Sequence, residues 1–341
     1  MKRAIKIVGL TIGGLLTALT SATLVLQNRH FAAPYPQLRA STDSALIERG
    51  RNLALGAAHC GDCHSGPGSA SADSGAPLSG GHEFHLPLGI VRVPNITTDR
   101  ETGIGRYRDE EIARMLRYGV RPDGRVMLPF MPFANLSDED LTAILSFLRS
   151  QAPVKHTVLP HEPSLFGRIG LAFAIRPQGP SEPVKKTVPA EPTAAYGAYL
   201  ANSIANCVGC HTERDRRTGE FIGPRFGGGG ILESHAEPSE RFISPNLTPH
   251  PQRGWITDWS EDAFVARLQS GPVYAHSPMP WSSFRRMSET DLRAIYRYLR
   301  TLPPAETGPD PKARESVRMK SDSPRAERPD DRKHSHEQAR L

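Results

Sequence analysis

The 341-residue sequence is poor in cysteine, in aromatic residues and in apolar residues as a whole. It has four Cys and three Trp, and apolar residues make up 38% of the chain. Together with a mean hydropathy of −0.42, this composition excludes a polytopic membrane protein. The 31 Pro and 30 Gly favour helices joined by long stretches without regular structure.

Net positive charge is scarce in the part of the chain expected to fold. The formal charge is +6, but residues 1–30 hold four basic residues and no acid. Residues 303–341 hold nine basic and eight acidic residues, which leaves about +1 for residues 31–302. Because so small a charge attracts a phosphate backbone only weakly, we expect no nucleic-acid partner.

The N-terminus carries a long apolar run. Three basic residues precede residues 7–26, a stretch of 20 residues without a charge, which is long enough to span a bilayer. Since basic flanks stay in the cytoplasm, residues 1–30 predict a membrane anchor or signal peptide, with the rest of the chain on the periplasmic side of the inner membrane. Cleavage after Ala22 is the alternative and would release a soluble protein.

All four cysteines lie in two copies of one motif. The copies are Cys60-Gly61-Asp62-Cys63-His64 and Cys207-Val208-Gly209-Cys210-His211. The Cys-x-x-Cys-His spacing is the attachment signature of c-type haem: each thiol forms a thioether with a haem vinyl group, and the adjacent His binds the iron. Thioredoxin-like redox pairs or a zinc site are the alternatives, but a His follows each pair directly. The sequence therefore predicts two covalently bound haem c cofactors.

The haem motifs belong to a duplicated unit. Gly50 and Gly197 each stand ten residues before the first haem cysteine, and Pro94-Asn95-Ile96-Thr97 matches Pro245-Asn246-Leu247-Thr248 further along. Such repetition predicts two domains of one fold. The predicted division is an N-terminal segment at 1–30, a first domain at 40–150, a Pro-rich connector at 151–193, a second domain at 194–302 and a disordered charged tail at 303–341.

Each unit is expected to end in an amphipathic helix. Ser137 and Ser288 are the predicted N-caps, because each is followed three residues later by an acid. Apolar residues then recur at helical spacing and predict a core-facing stripe. The stripes are Leu141, Ile144, Leu145 and Leu148 in the first helix, and Leu292, Ile295, Tyr296 and Leu299 in the second.

A methionine recurs before each final helix. Met131 lies 67 residues beyond His64, and Met279 lies 68 residues beyond His211. The near-equal offset predicts that both methionines are axial iron ligands. His/Met ligation raises the reduction potential and suits electron transfer. His276 is the alternative ligand for the second haem.

The order of these motifs resembles a known family. The shared features are the haem motif, Pro94-Asn95-Ile96-Thr97-Thr98-Asp99 with Gly103-Ile104-Gly105, Gly124-Arg125, Met131-Pro132-Phe133 and Ser137-Asp138-Glu139-Asp140-Leu141. Over about residues 45–302 the chain resembles the cytochrome c subunits of bacterial membrane-bound alcohol, aldehyde and gluconate dehydrogenases, and their free dihaem relatives.

The resemblance implies an all-α fold of two tandem class I cytochrome c domains, each with a covalently bound haem c. It also implies that the carbonyls of Pro94 and Pro245 accept the ring N–H of the axial histidines, with an ordinary turn as the alternative. The implied function is an electron relay without catalytic residues. It would take electrons from a periplasmic dehydrogenase to quinone, a small cytochrome or an oxidase.

A dihaem enzyme, such as a cytochrome c peroxidase or a thiosulfate dehydrogenase, is the alternative function. A peroxidase needs an open iron position with acid–base groups above it, and His82, Glu83 and His85 could supply them. A thiosulfate-type site would favour a Cys ligand, and both haem motifs already use every Cys of the chain.

The connector contains an apolar island at residues 165–175. Eleven residues are too few to span a membrane. We expect the island to pack between the domains, and contact with a membrane surface is the alternative.

Overall fold

The structure, a computed structural model, describes residues 2–66, 75–131, 133–215, 218–234, 237, 239–311 and 318–320. The α-helices are α1 (Lys2–Leu26), α2 (Ser44–Asn52), α3 (Cys60–His64), α4 (Asp109–Tyr118), α5 (Asp138–Ser150), α6 (Leu165–Ile169), α7 (Ala194–Tyr199), α8 (Cys207–Cys210), α9 (Glu261–Gln269), α10 (Trp281–Phe284) and α11 (Glu289–Leu299). Three π-helical turns extend α2, α6 and α7 at Leu53–Ala57, Gly170–Ala174 and Leu200–Ile204.

Short strands accompany the helices, so the expectation of an all-α fold is too narrow. The strands are β1 (Glu83–Leu86), β2 (Gly89–Arg92), β3 (Glu162–Pro163), β4 (Ile231–Glu233), β5 (Glu240–Ile243) and β6 (Arg318–Lys320). They form two antiparallel sheets in the orders β1-β2-β3 and β4-β5-β6. Strands of two to four residues are too short to show a periodic sequence pattern.

The chain divides into two compact units. The first comprises Met1–Gly209, Asp258–Gly271 and Pro280–Leu302, and the second comprises Cys210–Thr257, Pro272–Met279 and Pro303–Leu341. Residues of the predicted second domain therefore occur in both units. The predicted tail has described residues at 303–311 and 318–320, and the rest of it lies outside the described residues.

Two helix crossings in the first unit depend on glycine. A Cβ at Gly50 of α2 would lie 1.8 Å from the carbonyl oxygen of Ala143 in α5. A Cβ at Gly197 of α7 would lie 1.9 Å from the carbonyl oxygen of Ala294 in α11. Both distances are far below contact distance, so the backbones approach closely only because these positions lack a side chain.

The cap of α5 is part of a buried polar cluster. As predicted, Ser137 accepts a hydrogen bond from the Asp140 amide, at 3.1 Å. The Asp140 carboxylate is fully buried, and it accepts from Arg49 Nε at 2.7 Å and from the Tyr199 hydroxyl at 2.7 Å. Burial and this carboxylate raise the pKa of Tyr199, so its hydroxyl stays protonated and donates.

The predicted apolar stripe of α5 lies in the core, as do three of the four stripe residues of α11, whereas Tyr296 is half-buried. In α5 the four stripe residues are at most 5% exposed, and in α11 Leu292, Ile295 and Leu299 are at most 4% exposed. Among the described residues, α1 is long and apolar enough to cross a membrane.

We predict that Gly50→Ala and Gly197→Ala each destabilise the haem-loaded protein by roughly 1–3 kcal/mol, because the new methyl group forces α2 from α5, or α7 from α11. Gly56→Ala is the matched control, since its Cβ would meet Met287 at an ordinary 3.6 Å. Denaturant unfolding followed by circular dichroism measures the effect. Equal midpoints for all three variants would contradict the role assigned to the crossings.

Candidate haem sites

A residue with left-handed backbone precedes each Cys-x-x-Cys-His segment. His59 precedes α3 with φ +41°, and Asn206 precedes α8 with φ +48°. Both follow the π-helical turns at Leu53–Ala57 and Leu200–Ile204. A left-handed residue ends one helical direction and allows the next short helix to begin at an angle. The sequence repeat contains both positions, and His and Asn are among the non-glycine residue types that adopt left-handed backbone most often.

The histidines of both motifs bond to the predicted proline carbonyls. His64 Nδ1 lies 2.9 Å from the Pro94 carbonyl oxygen, and His211 Nδ1 lies 2.8 Å from that of Pro245. A carbonyl oxygen only accepts, so Nδ1 carries the proton and Nε2 carries the lone pair. Burial lowers the pKa of both imidazoles, which favours the neutral form that binds a metal. The contact implied by the resemblance is therefore present in both halves.

A buried asparagine holds each proline turn in place. The Asn95 side-chain oxygen accepts from the Thr97 amide at 2.9 Å, and its Nδ2 donates to the Val154 carbonyl at 2.8 Å. This ties the proline turn to the chain that follows α5. The second site repeats the pattern with Asn246, Thr248 and Ala305.

A left-handed glycine joins each histidine to its proline turn. Gly80 has φ +69°, and its amide donates to the backbone carbonyl of His64 at 2.7 Å. A Cβ there would lie 2.4 Å from the carbonyl carbon of Pro94. Gly228 repeats this arrangement with φ +73°, an amide bond of 2.8 Å to its haem-motif histidine and a Cβ position 2.6 Å from the carbonyl carbon of Pro245. The sequence shows these glycines as repeated. The neighbouring Gly81 and Gly229 also have positive φ, so the close approach to the proline carbonyl, which no sequence pattern reveals, identifies Gly80 and Gly228.

The cysteine thiols of the first site lie on one helical turn. Cys60 and Cys63 are both in α3, and burial raises the pKa of these thiols to about 12 and about 11. They therefore stay protonated at neutral pH, in surroundings that suit a thioether, which has no proton to lose. All four cysteines of the chain are free of disulfide bonds. Paired thiols and a neutral imidazole with its Nε2 lone pair fit a haem c.

The two predicted methionine ligands lie in irregular segments before α5 and α10. Met131 is half-buried and lines a small surface pocket with Leu116, Met127 and Arg176. Met279 is also half-buried. Ligation by either residue stays a prediction.

His276, the alternative ligand, has left-handed backbone and lies beside an acid. Its φ is +64°, and its Nδ1 is 3.5 Å from a carboxylate oxygen of Glu240. Its side chain is 46% exposed.

The residues considered for acid–base catalysis lie at the first sheet. Glu83 Oε1 lies 2.5 Å from Arg92 Nε, and Arg92 Nη2 lies 2.7 Å from Glu162 of β3. The hydrogen bond from Arg92 lowers the pKa of Glu83, so this carboxyl is a poor proton donor. His82 packs edge-on against Phe84 at 4.8 Å. These contacts are those of a sheet edge and do not support a peroxidase site.

Comparison with known families matches both halves of the chain. Residues 46–148 match the family described as cytochrome c oxidase, cbb3-type, subunit III, and residues 194–303 match the family described as cytochrome c.

Individual relatives are cytochrome subunits of dehydrogenases. The chain is 32% identical over 312 residues to the cytochrome c subunit of an alcohol dehydrogenase (quinone) from Gluconobacter oxydans, covering 84% of this chain and 60% of the relative. It is 30% identical to the fructose dehydrogenase cytochrome subunit of Gluconobacter japonicus, covering 86% and 60%. It is 29% identical to a diheme cytochrome c-type protein of Cereibacter sphaeroides, covering 72% and 83%. The chain thus spans about 60% of the length of the two dehydrogenase subunits.

We predict that Gly80→Ala and Gly228→Ala each raise the reduction potential of the haem in their own site. The added methyl group displaces the proline carbonyl, which weakens the Nδ1–H bond and makes the imidazole a poorer electron donor to ferric iron. Potentiometric titration measures the shift.

Gly75→Ala and Gly219→Ala are the controls. Both positions have positive φ, +63° and +77°, but a Cβ at either meets nothing within 4 Å. They share the backbone strain of about 1–2 kcal/mol and leave the proline turns in place. Identical potentials in all four variants would mean that the glycines act only through stability.

Proposed function

The chain contains two cytochrome c domains, each of which binds one haem c, and from this premise we propose that it relays electrons on the periplasmic side of the inner membrane. Electrons enter from a periplasmic dehydrogenase and leave to quinone, to a small cytochrome or to a terminal oxidase. The names of the relatives, as cytochrome subunits of alcohol and fructose dehydrogenases, support this class of donor.

The observation that carries the proposal is the equivalence of the two sites. Both have the same histidine–proline hydrogen bond, the same asparagine brace and the same left-handed glycine. An enzyme with one electron-transfer haem and one catalytic haem needs two different iron environments. Two matched environments suit a relay in which both haems transfer electrons.

We assign the residues of each haem site as follows. A bound haem would supply one-electron chemistry. Cys60, Cys63, Cys207 and Cys210 would attach the haems, and His64 with Met131 and His211 with Met279 would bind the iron. The Pro94 and Pro245 carbonyls hold the ring proton at Nδ1, which orients each imidazole and keeps Nε2 for the iron.

We also propose that α1 is retained and anchors the protein in the membrane. It is a 25-residue helix with basic residues in its first turns, and it meets the length that a bilayer requires. The positive-inside rule places its N-terminus in the cytoplasm.

We predict that Cys60→Ser and Cys207→Ser each remove one thioether bond from one haem only. Serine oxygen does not form the thioether, so one vinyl group of that haem stays unreacted. The pyridine haemochrome spectrum measures the loss, because an unreacted vinyl group shifts its bands, and the mass of the denatured chain checks that both haems remain attached. Each variant is the control for the other, because its second haem keeps both bonds. Two doubly attached haems in Cys60→Ser would defeat the assignment.

A potentiometric titration with absorption and electron paramagnetic resonance tests the relay itself. We predict two low-spin haems of fairly high potential that do not react with peroxide. Met131→Leu and Met279→Leu each lower the potential of one haem and open a position that binds carbon monoxide, because the thioether that favours ferrous iron is lost.

Two conservative controls accompany the methionine variants. Met127→Leu alters a neighbour in the same pocket as Met131, and His276→Ala alters the alternative ligand of the second site. Both should leave the potentials unchanged. A wild-type haem that is high-spin and consumes peroxide would instead identify a dihaem enzyme. If Met279→Leu left the potential of the second haem unchanged and His276→Ala lowered it, the second ligand would be His276 and not Met279.

A further inference from the structure

The connector carries large apolar side chains that face solvent. Leu165 is 74% exposed and Phe166 is 67% exposed, both in α6. Ile169 and Phe173 are 36% and 42% exposed. Residues 165, 169 and 173 are spaced by four and lie on one helical face, with Phe166 beside them. We call these four residues the apolar face.

Two small residues of the same segment pack on the protein. A Cβ at Gly167 would lie 2.0 Å from the carbonyl oxygen of Leu88, in the turn between β1 and β2. Ala172 is fully buried. The amide of Ser164 also donates to the Leu88 carbonyl, at 3.0 Å. The segment is therefore held against the protein by backbone contacts. A helix on a water-exposed surface turns its large apolar residues inward, whereas this segment turns them outward.

The apolar face lies beside the end of α1. The π-helical turn Gly170–Ala174 packs against α1, and Arg168 Nη1 donates to the Gln27 side-chain oxygen at 3.1 Å. The uncharged run at residues 7–26 is about 30 Å long as a helix, the thickness of the hydrocarbon core. Gln27 is the first residue beyond that run, so Arg168 lies at the level where the hydrocarbon ends.

Charge near the apolar face also suits a lipid surface. Arg168 and Arg176 are exposed and lie on either side of the π-helical turn. Basic side chains at this level can contact lipid phosphates while their neighbours enter the acyl region. An apolar patch rimmed by arginine at the boundary of a spanning helix has the composition of an interfacial membrane segment.

We propose that the apolar face inserts into the lipid interface of the leaflet in which α1 ends, and gives the protein a second membrane contact. The proposal rests on the proposed retention of α1 as an anchor. It favours the lipid surface over packing between domains for the apolar island, because the four large side chains of the apolar face are exposed.

Site-directed spin labelling of the full-length, haem-loaded protein tests the proposal. Phe166→Cys and Leu165→Cys are labelled in separate variants reconstituted into vesicles of phosphatidylethanolamine and phosphatidylglycerol. Collision with oxygen and with a water-soluble nickel chelate reports the depth of each label. Both native side chains are mostly exposed, so the substitutions leave the packing intact. Leu15→Cys in the middle of α1 is the deep reference, and Ile222→Cys, whose native side chain is 62% exposed, is the aqueous reference.

We expect the labels at 165 and 166 to show a several-fold higher oxygen-to-nickel accessibility ratio than the label at 222, and a lower ratio than the label at 15. Ratios equal to that at 222, with a deep label at 15, would overturn the proposal and leave the anchor standing. An aqueous label at 15 would overturn the anchor and this proposal together. Labels at 165 and 166 that become protected in native membranes but stay aqueous in vesicles would assign the surface to a protein partner instead.

Discussion

The hydrogen bond between each haem-motif histidine and its proline carbonyl is the constraint around which the rest of each site is arranged. It fixes the proton on Nδ1, and so leaves the Nε2 lone pair of each histidine available to a metal. A glycine without a side chain lies against the proline carbonyl, and an asparagine ties the turn to the chain beyond the last helix. A backbone carbonyl cannot be changed by substituting its own side chain, so the sequence controls this bond through neighbouring residues. The residues that hold this hydrogen bond in place are thus small and buried.

The two repeats share one backbone arrangement, whereas the side chains around it differ between them. Arg49 pairs with Asp140, and Tyr196 donates to Asp291 at 2.8 Å. Arg49 and Tyr196 are equivalent positions, each eleven residues before the first cysteine of its haem motif. Both acids are the third helical residue after a serine cap, so each fills the same role with a different partner. Asp140 also accepts from the Tyr199 hydroxyl. The glycines at the helix crossings cannot vary in this way, because a Cβ there would clash with backbone atoms and not with a side chain that could move aside.

Much of the haem chemistry could be predicted from the sequence because it depends on residue types at fixed spacing. The Cys-x-x-Cys-His motif, the serine caps and the apolar stripes of the final helices are local patterns, and the structure confirms the caps and stripes. Other features depend on contacts between distant segments. The left-handed angles of His59 and Asn206, the choice of Gly80 and Gly228 among neighbouring glycines, and the buried hydroxyl of Tyr199 have no periodic signal. The strands have no such signal either, because two to four residues are too few to show an alternating pattern.

A second membrane contact has a direct consequence for an electron relay. A single spanning helix confines the protein to the plane of the bilayer and raises its effective concentration toward other membrane-bound partners. It does not fix the orientation of the domain that it carries, because the chain beyond the helix can rotate about its axis. Gly167 and Ser164 hold the apolar face rigidly on the β1–β2 turn, so insertion of that face would orient the first unit as a body. Since electron transfer requires a particular surface to meet its partner, restricting orientation lowers the entropic cost of each productive encounter.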